Sequence, residues 1–511
     1  MSRPLSTAHG HLAGAPRSEI SSTGMRVASL EFSITPIVGG STASKVRAVV
    51  KEVAGPLKTA VTLLEDGDKR VCLITPHMNS PKGANTSPLL RQSVAEVLDL
   101  PVSHVLIMVS HNHTDINLVS NNVESFVTLG MAPADIPEPV LEPIGQVFLN
   151  RLVNTVRQLP ALMQPVTVWW AEGSEGRISY NRKGRRADGT AYFIREDDRD
   201  LLGTDYNGDI DRQAPIIVFK NEADEVVTAI TQFTAHPISC YNPERPVIFG
   251  EWPQVACEHV ARHLSPDKPI AVSFLQGCAA DMNSKGMLRG DVELSRKYGR
   301  MLADTYIAAL DQLRPSHLTG LEFKEDKVRI PLAPLPPVGE LEAEISEMRD
   351  FILRAKAGDE DTLDCVGLNL PAELTPAYRA RLIEMVLPWS EWALGLHQQG
   401  RAHTVAKYLE VEFQVLRIGD IGIVGMPFEP FLGLGRQVRS GSDLPLNLTC
   451  GYTNHSYGYL TDGANTGDGD YPSAHYRYSK FRPPYAKPAG DLLANKAIET
   501  LNQMASHESS H

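Results

Sequence analysis

Apolar and polar residues fall into two rhythms along this chain. "MRVASLEFSITPI", residues 25–37, alternates with the period of two expected of a β-strand. "AVTLLE" and "RVCLIT" flank Asp66-Gly67, a turn signal that predicts a hairpin. "SPLLRQSVAEVLDLP" (87–101) spaces its apolar residues with helical period. "HVLIMVS" (104–110) is nearly all apolar, as a strand covered on both faces is. Strand, helix and apolar strand open an α/β pattern.

The pattern continues with a helix over 137–158 and strands at "VTVWWAEG" (166–173), "APIIVFKN" (214–221) and "VVTAITQFTA" (226–235). "EWPQVACEHVARHLS" (251–265) predicts a helix, "IAVSFLQGC" (270–278) an apolar strand, and "ELSRKYGRMLADTYIAALDQLR" (293–314) a long amphipathic helix. Residues 337–405, rich in Glu and Arg, predict a helical insertion. "YLEVEFQVLRIGDIGIVGMPFEPF" (408–431) predicts a hairpin turned at Gly419-Asp420. The expected frame is one α/β domain over 25–505, between a flexible segment 1–24 and a flexible tail 506–511.

Composition narrows the partners. A formal net charge of −12, with no lysine- or arginine-rich run, argues against a nucleic-acid or anionic-membrane surface. No stretch has the apolar length of a transmembrane helix, and the first residues lack the apolar core of a signal peptide. The six cysteines are scattered, several within apolar runs, and predict buried free thiols. The expectation is a cytoplasmic protein that binds a small-molecule substrate, with its oligomeric state, monomer or homo-oligomer, left open.

Several apolar runs end in chemistry-bearing residues. "VLIMVSHNHTD" (105–115) stops at His111 and His113, which share a face if the strand continues through them. His236 follows "ITQFTA", Asp281 and Asn283 follow "FLQGC", and Glu429 follows "GIVGMPF". In open α/β sheets, ligands collect at the carboxyl ends of strands. Imidazole and carboxylate donors with one open position suit catalytic zinc, which acidifies water and polarises a carbonyl. The spacing lacks the local specificity of a helical HExxH pair. Each residue also has a plain reading: His236 as a core residue, Glu429 as a helix N-terminal carboxylate, Asp281 as a turn residue. From these residues alone both readings stay open.

The order of the segments resembles the neutral (non-lysosomal) ceramidase family, over about residues 45–480. "KRVCLITPHMN" through "SHNHTD" resembles the family's strand–helix–strand leading to a "SHTHSGP"-type motif. "NRK" (181–183), "TQFTAHPIS" (231–239), "FLQGCAADMNSKG" (274–286), "IVGMPFEPFLGLG" (423–435) and "YGYLTD…DYPSAHY" (457–476) resemble later family segments in the same order. The resemblance implies a large mixed-sheet α/β catalytic domain and a zinc site of His111, His236, Glu429 and Tyr459, with Tyr457 the rival for the last position. It implies His113, Arg182 and Tyr476 around the substrate carbonyl. Tyr476 is chosen because Tyr471 and Tyr476 keep the family's Tyr-to-Tyr offset. Other divalent ions suit the same donors.

Five departures bear on the substrate. Asn283 stands where the family has a central serine, and Ser284 comes one residue late. Asp115-Ile116 replaces the Gly-Pro after the histidine motif, and His77 stands where an aspartate is common. No C-terminal immunoglobulin-like domain and no secretion signal are expected. These point away from ceramide and toward a zinc-dependent hydrolase of an amide or ester in a small polar substrate, with Asp281 and Asn283 as further site residues. The alternative on the same scaffold is a metal-dependent lyase or glycoside-cleaving enzyme acting on a carbohydrate. A third reading is ligand binding without turnover.

Overall fold

The computed structural model describes residues 24–42, 48–79, 83–123, 135–203, 205–478 and 481–508. The N-terminal segment of the sequence analysis lies outside these residues but for Gly24. Three sheets carry the architecture. The first holds β1 (Met25–Ile34), β2 (Leu57–Asp66), β3 (Lys69–Pro76), β4 (Val105–Ile107) and β5 (Gln164–Pro165), in the order β4-β3-β2-β1-β5. The second holds β6 (Thr167–Ser174), β7 (Gln213–Lys220), β8 (Val226–Phe233), β9 (Val272–Gln276) and β10 (Arg314–Pro315), in the order β9-β8-β7-β6-β10. The third runs β11 (Leu321–Pro331), β12 (Tyr408–Ile418), β13 (Ile421–Gly425), β14 (Leu446–Cys450). The longer helices are α1 (Thr86–Leu98), α2 (Pro143–Val156), α3 (Glu251–Leu264), α4 (Val292–Ala309), α5 (Val338–Lys356), α6 (Pro376–Gln398), α7 (Leu432–Gly441) and α8 (Asp491–Glu508).

Each sheet is antiparallel except for one parallel pair at its edge: β3 with β4, β8 with β9, and β13 with β14. A parallel pair needs a crossover, and α1, α3 and α7 supply the three. The apolar runs in the sequence follow from this layout, because successive side chains enter two different cores. Cys72 and Ile74 of β3 face α1 and α2, whereas Val71 and Leu73 enter a core shared by all three sheets. Ile217 and Phe219 of β7 enter the shared core, and Ile216 and Val218 pack on α3 and α4. The third sheet packs its outer face on α7 and α8 through Leu434, Val438, Leu493, Ala497 and Leu501. Helices α5 and α6 pack on each other within 337–405.

The predicted hairpin is β12–β13, with Ile418 paired to Ile421 and Gly419 at φ 57°. Three predicted boundaries move. The helix expected from 137 starts at Pro143, because proline suits the first helical position and Pro137 and Pro139 precede it. The terminal helix runs to Glu508, past the boundary at 505. Strand β4 ends at Ile107, although Met108 N still donates to Ile74 O at 2.9 Å; Met108 also pairs with Thr453, three residues past β14, in an isolated bridge. All six cysteines are buried and unpaired. Among the described residues no helix is long and apolar enough to cross a membrane.

Polar ties fasten the sheets together, and the two that reach the third sheet lie at the carboxyl ends of the parallel pairs. Thr75 Oγ1 lies 3.1 Å from Ser273 Oγ, joining first and second sheets. Gln232 Nε2 donates to Thr449 O at 3.0 Å, joining second and third. Ile107 N donates to Asn454 Oδ1 at 2.9 Å, and Asn454 N to Ile107 O at 2.7 Å, joining first and third.

Gln232→Leu strands the buried Thr449 carbonyl, which should cost ~1–3 kcal/mol, read as a lower urea midpoint with an unchanged slope. His77 is 2 % exposed, and burial, then the Lys58 charge, lowers its pKa from 6.5 to about 3. The unfolded chain gains this proton near pH 6.5 and the folded one only near pH 3. Its contribution to stability is therefore complete above about 6.5 and lost as pH falls toward 3. Urea titrations over that range should show this slope, and His77→Asn should remove its share.

Candidate metal centre

The first parallel pair delivers two imidazoles, though not by strand alternation. After β4 the chain turns, with Ser110 N bonded to Pro76 O and His111 N to Met78 O. His111 sits at φ 63°, a left-handed conformation rare outside glycine. Asn112 Nδ2 donates to His77 O at 2.7 Å and Thr114 Oγ1 to Phe249 O at 2.7 Å, and these bonds pin the turn. The rings of His111 and His113 meet edge to face at 4.8 Å, with their Nε2 atoms 3.3 Å apart. His111 is buried and stacks on Tyr452 at 4.1 Å; His113 is half-buried and meets the edge of Tyr241 at 5.2 Å. Tyr452, the second residue after β14, is itself left-handed at φ 57°.

The second pair delivers His236. Its Nδ1 lies 2.7 Å from Ala279 O and 3.0 Å from Met282 O, both acceptors, so Nδ1 carries the proton and Nε2 a lone pair. Burial, then the Arg182 charge, lowers the pKa of His236 and favours this neutral form. The third pair delivers Glu429, whose backbone pairs with Tyr459 in a short parallel bridge. Glu429 Oε2 lies 3.2 Å from His111 Nε2 and 3.4 Å from His236 Nε2.

One ligand atom from each of His111, His113 and His236 lies within 4.8 Å of the others, so the group can hold a metal ion. Donors placed ~2.0–2.1 Å from a tetrahedral zinc lie about 3.3–3.4 Å from one another. The His111–Glu429 and Glu429–His236 separations of 3.2 and 3.4 Å match that edge. A bare imidazole nitrogen opposite a carboxylate oxygen is also repulsive without a cation between them, so the donor set fits a divalent ion. Beyond His111, the Asn79 carboxamide lies 3.2 Å from Nδ1. Nδ2 is the atom placed there; a flip of the carboxamide presents Oδ1, which would accept the Nδ1 proton and leave Nε2 with its lone pair.

Arg182 and Tyr459 lie beside this cluster. Arg182 Nη2 donates to the Tyr459 oxygen at 2.8 Å, and the Tyr459 ring is 6.3 Å from His236. Burial holds the Tyr459 phenol well above its usual range. Tyr457 turns the other way, onto Phe428 at 5.6 Å. Asp281 is bonded elsewhere: its carboxylate accepts from Leu432 N at 2.8 Å and Asn181 Nδ2 at 3.2 Å, steadying the start of α7, and burial raises its pKa to about 6. Asn283 pairs with His236 through a backbone bridge, and its Nδ2 lies 3.3 Å from Tyr180 OH.

Tyr476 is not brought to the cluster. Its ring meets Trp389 at 4.7 Å, among Leu335 and Leu341 beside the helical insertion. His475 and Tyr471, rather than Tyr476, pack against Tyr459, with ring centroids 4.2 and 5.9 Å away. Residues 475–478 form a 3-10 turn, in which His475 and Tyr478 share a face and Tyr476 does not. The sequence reading also missed Tyr452 and Asn79, although both follow apolar strands, the signal that marked His111 and Glu429.

No family model matches this sequence, and no curated protein does. Solved structures do. The neutral ceramidase from Pseudomonas aeruginosa superposes with a TM-score of 0.60 at 14% identity, covering 94% of this chain and 75% of that one. A ceramidase complexed with C2 gives a TM-score of 0.57 at 14% identity, covering 89% and 74%. The likeness is one of fold: this chain has the mixed α/β architecture of the neutral ceramidases.

Proposed function

We propose that this protein is a metal-dependent hydrolase that cleaves an amide or ester bond of a small polar substrate by direct attack of water. One observation carries the reading: His111, His236 and Glu429 converge, buried, at the donor spacings of a tetrahedral ion. The ceramidase fold supports the reaction class. A divalent ion held by His111, His236 and Glu429 supplies a Lewis acid that polarises the carbonyl and makes water acidic enough to attack near neutral pH. Zinc suits the nitrogen and oxygen donors best.

The chain's own residues supply the rest. Half-buried His113 stands on the open side, and its Nε2 takes a proton from the attacking water and passes it to the departing amine or alkoxide. Arg182 Nη2 donates to the Tyr459 oxygen, which directs the phenol O–H away from the guanidinium to donate to the oxygen that gains charge. No serine is needed. Ser284 is fully buried, and its Oγ accepts a hydrogen bond from Ile238 N at 3.2 Å. Asn283, at the position of the family's serine, brings no nucleophile.

Purified protein should retain about one equivalent of divalent metal per chain. His111→Ala, His236→Ala and Glu429→Gln should each abolish retention, measured by elemental analysis. His113→Asn should keep the metal while kcat on N-acetyl amino acids or acetyl esters falls by ~10²–10⁴. In heavy-oxygen water the released acid should carry one solvent oxygen, whereas elimination would incorporate none. Absence of stoichiometric metal, with turnover intact in both histidine variants, overturns the reading.

A further inference from the structure

Two adjacent cations behave differently beside this site. Lys183 Nζ lies 2.7 Å from Asp468, 2.6 Å from Asp470 and 2.7 Å from Ser473 Oγ, so its charge is matched twice. Arg182 is 4 % exposed, and among the described residues no carboxylate lies within ion-pair distance of it. Its Nε and Nη2 donate to the Ala280 carbonyl, and Nη2 also to Tyr459. Nη1 has no acceptor among the described residues. The faces of Tyr459, Phe193 and Tyr471 surround the guanidinium at 5.4, 5.7 and 5.7 Å.

A guanidinium cannot shed its proton to ease burial, as a lysine can. Neutral carbonyls and ring faces offset only part of its desolvation. Of the site's carboxylates, Glu429 is engaged with two imidazoles and Asp281 with Leu432 N and Asn181 Nδ2. An oxyanion formed during turnover exists too briefly to balance a charge that is permanent. A substrate that arrives with its own negative group does balance it.

We propose that Arg182 is the specificity-determining residue and receives, on Nη1, a compact carboxylate carried by the substrate. The substrates would then be acylated small molecules bearing a carboxylate, such as N-acyl amino acids. The scale fits: Tyr459 spans the gap, with its hydroxyl on Arg182 and its ring 6.3 Å from His236. A carboxylate on Arg182 and a scissile carbonyl at the histidines are thus within reach of one small molecule. The bond cleaved rests on the hydrolase reading; the anion site does not.

The test is calorimetric titration of N-acetylglycine and its neutral counterpart N-acetylglycinamide into the full chain, stripped of metal and reloaded with zinc. The acid should bind at least about tenfold tighter in both forms. Arg182→Gln should bring the two ligands to parity, while Arg182→Lys keeps part of the preference. The wild-type comparison stands even if a variant fails to fold. Parity in the metal-free wild type overturns the proposal. So does a preference that appears only with zinc and survives Arg182→Gln, since the carboxylate then sits on the ion. Acetate release, common to both compounds, separates the two claims. Retained preference with neither compound cleaved supports the anion site and refutes the hydrolase reading. Cleavage of both at equal kcat/KM refutes the role of Arg182 and leaves the hydrolase standing.

Discussion

Electron-pair donors are crowded together at the centre of this molecule. Three imidazole nitrogens and a carboxylate oxygen face one another across 3.2–3.4 Å contacts in a place water barely reaches. Such a cluster can hold a cation, and the scaffold fixes its members from behind. The carbonyls of Ala279 and Met282 hold His236, and Asn79 stands behind His111.

That fixing is repeated three times. Each sheet contributes one β-α-β unit, β3-α1-β4, β8-α3-β9 and β13-α7-β14, and each unit ends in part of the site. The elements between these units make the sheets wide enough to share a core. The ties Gln232–Thr449 and Ile107–Asn454 align strand ends across the sheets, and Thr75–Ser273 joins the first sheet to the second. The site is therefore a property of how the sheets meet, not of any one of them.

This explains what the sequence disclosed. A strand covered on both faces is a continuous apolar run, so β3, β4, β7, β8 and β9 stand out, and so do the polar residues after them. Strand β11, "LEFKEDKVRIP", lies at a sheet edge with much of its length exposed, and its charges hid it. Strand β14, "LNLTC", is five residues long and passed unnoticed, and Tyr452 with it. His111 and His113 were paired correctly for the wrong reason: a strand through them would have aligned their side chains, whereas a left-handed turn does so here. Tyr476 was misplaced because a constant offset in sequence does not say which side of a 3-10 turn faces inward. Arg182 was found only through the resemblance, since its unmatched charge is invisible until Lys183 is seen beside it with two carboxylates.

The stacked pair of His111 and Tyr452 has a further meaning. Both are left-handed, each at a cost of about 1–2 kcal/mol that glycine would not incur. Glycine would relieve that strain at either place, but at Tyr452 it would empty a fully buried volume, and deleting a large buried aromatic costs about 3–5 kcal/mol. The strained backbone at these two positions is therefore held in place by the packing of the rings it presents, so the surroundings that bury the pair also keep it aimed.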